Sequence, residues 1–217
     1  MTDPMAKRYG TGARIFHWLF VLLFLLQVPA GIAMVVPAVI GDFPVLPGVE
    51  QSTVDAIYIF HKGLGAVLLV VVMLRVLWRL THRPPPMPEH WPPLERKIAA
   101  RTHTFIYVLM VVAVVTGYVH VVGLGFPMEL LNALGVPPLI PRMEGIAVAS
   151  SFIHRFTVVV LVGVVGVHVA EVLRHQWVER DGEMSRMWPP FAGREEPPSS
   201  PAAPDREGGA VGVAPNR

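Results

Sequence analysis

The sequence predicts an all-α integral membrane protein, a bundle of four membrane-spanning helices with both termini on the cytoplasmic side. Three observations predict it. Of the 217 residues, 53% are hydrophobic and 16% are charged, too little charge for an ordinary soluble domain. Four apolar stretches are each long enough to cross the roughly 30 Å of bilayer hydrocarbon, which takes about 20 helical residues. Lysine and arginine collect at alternate connections between those stretches, the asymmetry that orients membrane helices.

The first stretch runs from Arg14 to Val36, behind Lys7, Arg8 and Arg14. Cations before an apolar run, with Ala30 and Ala33 near its end, raise the alternative of a cleaved signal peptide. The run is longer than a signal core and carries His17 and Trp18 at its start, so we read it as a retained span. The loop PAVIGDFPVLPGVEQSTV, which has no basic residue, leads to the second stretch, Asp55 to Leu80. Next comes HRPPPMPEHWPPLERK, a cytoplasmic link stiffened by prolines, which fix φ and lack an amide proton. It supplies Arg83, Arg96 and Lys97, and Arg101 follows. The third stretch spans His103 to Leu124, and the loop after it holds a single basic residue, Arg142. The fourth, Ser150 to Leu173, is followed by Arg174, Arg180 and Arg186. These features divide the chain into an N-terminal segment 1–13, a four-helix domain 14–187 and a tail 188–217. The tail is rich in Pro, Gly, Ala, Ser and Glu and predicts disorder. No internal repeat is evident.

Composition excludes several functions. With no cysteine there is no disulfide, iron–sulfur cluster or thioether-attached haem. The net charge of +2 is small and the cations sit at segment ends, so no nucleic-acid face is formed. No nucleophile with a base, paired acid and base or phosphate loop stands out, and no segment signals an oligomeric state.

Histidines inside the spans carry the functional signal, because an ionisable residue in a membrane helix is costly. His17 lies near the cytoplasmic end of the first span and His168 near the same end of the fourth. His61 and His154 share the opposite, outer level. From His154 to His168 is fourteen residues (168 − 154), about 21 Å of rise with roughly a 40° offset, so both leave one helix face. Neutral imidazoles are good iron ligands, and bundle interiors are where such cofactors are held. Two levels of paired histidines suit two bis-histidine haems, His17 with His168 and His61 with His154. A competing reading is a haem-free transport or metal-binding bundle, although metal sites of the zinc type gather their ligands at one point.

These residues occur in a recognisable setting: RIFHW, HKGLG, RVLWRL followed by prolines, RTHTFIYVLM, HRFTVVVLVGVVGVH and RHQWVERDGEMSRM, in that order. From about Arg14 to Trp188 the chain resembles the prokaryotic cytochrome b561 family, small four-helix dihaem proteins grouped with the cytochrome b subunits of nickel hydrogenases. The resemblance implies two haem b groups on the same ligand pairs, in a multi-pass protein of the bacterial inner membrane. It further implies a respiratory electron carrier between an outer-face donor, a small molecule or a protein, and membrane quinone. Superoxide oxidation coupled to ubiquinone reduction is one such activity. Membership of a larger hydrogenase or dehydrogenase complex is the alternative. The tail after Trp188 departs from compact members.

Other residues take subsidiary expectations. Lys62 and Arg155 each follow an outer ligand and are candidates for haem-propionate contact or for attracting a small anion, against the plainer reading of snorkelling to headgroups. Arg14, Arg75 and Arg79 are candidates for propionate contact at the inner level, where the positive-inside rule also places cations. His103 opens the third span, suited to a propionate or to water. His120 reads as interfacial, and His82, His90 and His175 as surface residues of the inner face. Gly63, Gly65, Gly117, Gly163 and Gly166 relieve bulk for close helix packing or for a flat porphyrin, and the sequence leaves both open.

Overall fold

A computed structural model describes residues 8–40, 50–88 and 90–188, the last six of the first stretch as backbone only. Four long helices make up the bundle: α1 (Thr11–Ile40), α2 (Gln51–Thr81), α3 (Pro93–Gly123) and α5 (Glu144–Arg174). A five-residue helix, α4 (Glu129–Ala133), lies between α3 and α5, and there is no strand among the described residues. All four long helices are long and apolar enough to cross a membrane. At 30 or 31 residues each, they extend about 45 Å at 1.5 Å per residue and project beyond the hydrocarbon.

The long helices begin earlier than the hydropathy pattern predicts. α3 starts ten residues before His103, at Pro93 (103 − 93), so the PLERK of the proline link is helical. Proline suits a first helical turn, since its missing amide proton would have no intrahelical partner there. α5 starts at Glu144, six residues before Ser150 (150 − 144). Its end passes into a π-helical turn, His175–Glu179, and a 3₁₀ turn, Glu183–Arg186. The predicted disordered tail lies, except for Trp188, outside the described residues, as do residues 1–7.

The close helix approaches are α3 on α5, α1 on α2 and α2 on α3. Small residues explain the first, because without a hydrophobic drive between membrane helices close backbone packing takes over. A Cβ built on Gly123 would stand 2.8 Å from the Cβ of Ala147, itself fully buried. Between the two histidine levels Phe20, Leu68, Val72, Leu109, Met110 and Leu161 form the buried apolar core. α1 and α5 are not closely packed on each other.

Both described ends of the chain meet at one end of the bundle, as four spans require. Arg8 donates from Nη2 to the Trp188 carbonyl at 2.7 Å, and the Trp18 indole donates to the Met187 carbonyl at 3.0 Å. Arg186, 1% exposed, donates to the Pro86 carbonyl (2.7 Å) and to Glu183 (2.8 Å), tying the segment after α5 to the α2–α3 link. His175 corrects the surface expectation. It is 5% exposed, stacked on Trp91 at 4.4 Å, and its Nδ1 lies 2.7 Å from Asp181. Its polar neighbours in sequence suggested exposure, but the segment folds back and covers it. His82 and His90 are exposed as expected.

Candidate cofactor site

At the level nearer α4, α2 and α5 bring His61 and His154 together. Their ring centroids are 6.4 Å apart and their planes are at 85°. Metal–imidazole bonds of about 2.0–2.1 Å place two rings on opposite sides of one ion roughly 6 Å apart, centroid to centroid. A pair so spaced would fit one metal ion between the rings. His154 Nδ1–H donates to the Ala113 carbonyl at 2.8 Å, which fixes the ring and leaves Nε2 with the lone pair, as in metal-bound imidazoles.

His61 is held from α1. The Gln27 amide donates to His61 Nε2 (3.2 Å) and to the His61 carbonyl (3.0 Å). Because an amide NH₂ only donates, Nε2 is the unprotonated nitrogen of a neutral ring. Nδ1 is buried without a hydrogen-bond partner, and so is Gln27 Oε1. Each ring also rests against a glycine of the adjoining helix: a Cβ at Gly31 or at Gly117 would stand 3.0 Å from Cε1 of His61 or His154 respectively. Gly117 thus serves a histidine and not bare helix packing. A Cβ on Gly163 or Gly166, between the two histidines of α5, would meet nothing within 4 Å, so helix packing does not account for them either.

At the other level His17, His103 and His168 lie within electrostatic reach of one another. His168 meets the ring of His103, with centroids 5.3 Å apart and planes at 70°. His17 accepts at Nδ1 from Arg75 Nη2 (3.2 Å), a contact that puts the ring proton of the neutral imidazole on Nε2. His17 and His168 share the level but form no ring contact among the described residues. Arg75 also lies over Tyr107 at 5.5 Å, and its Nη1 is buried with no hydrogen-bond partner.

The remaining basic residues are placed as follows. Arg14 is 1% exposed and donates to Thr11 Oγ1 at 3.2 Å. Lys62 pairs with Glu129 of α4 (2.7 Å) and donates to the Pro127 carbonyl (2.9 Å). Arg155 folds onto its own helix, 2.7 Å from Ser151 Oγ and 5.3 Å over Phe152. Gln27, Gly31 and Glu129 escaped the sequence reading. A lone amide in an apolar run is the signal that marks Gln27. Gly31 and Glu129 carry no comparable mark, since their partners come from other helices.

Two levels of inward histidines on four spanning helices, one pair at ligand spacing, define a membrane protein of the cytochrome class. Comparison with known proteins agrees. The family model for prokaryotic cytochrome b561 matches residues 8–190, and the chain belongs to that family, whose members bind haem b. Cytochrome b561 homolog 2 of Escherichia coli (strain K12) is similar, 25% identical over 182 residues, covering 83% of this chain and 91% of that protein. The protein is thus a multi-pass membrane cytochrome of an electron-transfer family.

Proposed function

We propose that the chain holds two haem b groups, one between His61 and His154 and one between His17 and His168, and carries single electrons between the two faces of the bacterial inner membrane. The observation that carries this reading is the His61–His154 pair, at axial spacing with His154 fixed through Nδ1. When bound, haem supplies reversible one-electron chemistry at iron, and the protein sets its ligation, burial and electrostatics.

The chain's own residues then have defined tasks. Gln27 keeps His61 Nε2 unprotonated, the form in which it would hold the iron. Ala113 keeps His154 Nε2 available. At the inner level Arg75 offers its unpartnered Nη1 to a propionate, and His17 would hold the haem through Nε2 in the tautomer whose ring proton sits on Nδ1, which requires Arg75 Nη2 to move off Nδ1. The separation of α1 and α5 supports room for a planar group there. His103 lines that site without ligating. Lys62, whose charge Glu129 compensates, braces the outer turn of α2, while Arg155 and Arg14 keep the propionate role assigned from sequence.

The end that carries residues 8 and 188 is the cytoplasmic one in this reading, following the basic residues around it. Membrane quinone and an outer-face donor are the exchange partners. Superoxide as donor rests on Arg155, a cation on the helix of an outer histidine that pairs with no acid among the described residues.

Liposomes with ferricyanide trapped inside test the function. External quinol reduces it through wild-type protein, and His154→Ala abolishes the reaction. Equal rates with His154→Ala or with empty liposomes refute transmembrane electron transfer through this pair.

A further inference from the structure

Away from the histidine levels, one cluster of potential metal ligands converges among the described residues: His175, Glu179 and Asp181, at the π-helical end of α5. Glu179 Oε2 and Asp181 Oδ2 each lie 2.7 Å from the same nitrogen, His175 Nδ1. A ring nitrogen carries at most one proton and satisfies one such acceptor well. Two anionic oxygens drawn onto one nitrogen exceed what a single ring proton satisfies, Arg174 answers within the cluster only Glu179 Oε1, and the ring that gathers them is buried.

Each of the three groups is also oriented from outside the cluster. Trp91 stacks on His175 with the planes 14° apart and donates its indole N–H to Asp181 Oδ2 at 3.2 Å. The Glu183 amide holds Asp181 Oδ1 at 3.1 Å. Arg174 Nη1 holds Glu179 Oε1 at 2.5 Å. Nδ1, Oε2 and Oδ2 converge, Oδ2 keeping the Trp91 contact on one lone pair, and outer hydrogen bonds of this kind are what orient metal ligands. A further donor stands close by: His90 Nε2, on an exposed side chain, is 3.8 Å from Asp181 Oδ2.

We propose that His175, Glu179 and Asp181 bind one divalent transition metal, separate from the haem irons. The donor set of imidazole and carboxylates without sulfur suits Zn²⁺, Mn²⁺ or Fe²⁺. Bound there, the ion clamps the end of α5 at the point where Trp91 brings in the α2–α3 link, and so fastens the same end of the bundle that Arg186 ties. His168 lies seven residues before His175 (175 − 168), about 10 Å along the helix, so this site and the haem level are distinct.

Calorimetric titration of Zn²⁺ into haem-replete, chelator-washed full-length protein in detergent tests the proposal. Wild type takes up one ion per chain with micromolar or tighter affinity. Glu179→Gln and Asp181→Asn each weaken uptake by at least about tenfold. The Soret band stays unchanged in both variants, which shows that the bundle is intact. No uptake by wild type, or uptake by both variants equal to wild type, overturns the proposal and leaves the cluster as a hydrogen-bonded contact of His175 with two carboxylates.

Discussion

The imidazoles of His61 and His154 face each other across the bundle at 6.4 Å, and each is seated against a glycine of the neighbouring helix. This relationship joins α1, α2, α3 and α5 in one site. Gly31 of α1 and Gly117 of α3 make the clearance, and α2 and α5 supply the rings.

Filling that clearance costs haem before it costs the fold. Gly117→Val is expected to push His154 out of line, with overpacking of about 1–3 kcal/mol. Haem-to-chain ratio in the purified variant checks this: about one haem is lost, while the helical circular dichroism is retained.

Lys62 and Glu129 form an ion pair one residue from His61. Removing the acid with Glu129→Gln leaves an uncompensated positive charge near the haem proposed at His61, which would favour its reduced state. An uncompensated charge some 10–15 Å away at an effective dielectric near 20 amounts to roughly 1 kcal/mol, or on the order of 40 mV for one electron. Redox titration is expected to show one midpoint raised by up to that amount and the other unmoved. Lys62→Met together with Glu129→Gln returns it toward the wild-type value.

Arg186 holds the segment after α5 to the α2–α3 link through Pro86. Arg186→Ala leaves the Glu183 carboxylate and the Pro86 carbonyl without that donor, at about 1.5–3 kcal/mol for hydrogen bonds from a charged group. Faster cleavage by a protease added at this face, with both haems retained, is the expected result.

The chain has no cysteine, so single introduced cysteines report orientation directly. Asn132→Cys, exposed in α4, is expected to react with an impermeant maleimide added to intact cells, and Gln176→Cys only after lysis. The opposite pattern reverses the assignment of the two faces.

The four spans and their histidines were legible because each rests on a signal within one segment: a long apolar window, or an imidazole that such a window does not tolerate. Helix ends were less legible: Pro93 to Thr102, with Glu95, Arg96, Lys97 and Arg101, carries no hydropathy signal, and Glu144 to Ala149, although apolar after Glu144, follows a loop without a marked boundary. His61 and His154 came together as their depths required. The depth of His17 and His168 was also legible, but not that Arg75 and His103 stand against them, because lateral order around a bundle leaves no trace in spacing along one helix. The same holds for Gly31 and Glu129, and for His175, whose burial depends on Trp91 from a distant link.

The most direct test of the central claim is a reduced-minus-oxidised spectrum with haem quantitation on wild type, His154→Ala and His168→Ala. Two b haems per chain in wild type and one in each variant, with different midpoints remaining, is the result expected of α5 supplying one ligand to each. No haem in wild type, or two in either variant, contradicts that account.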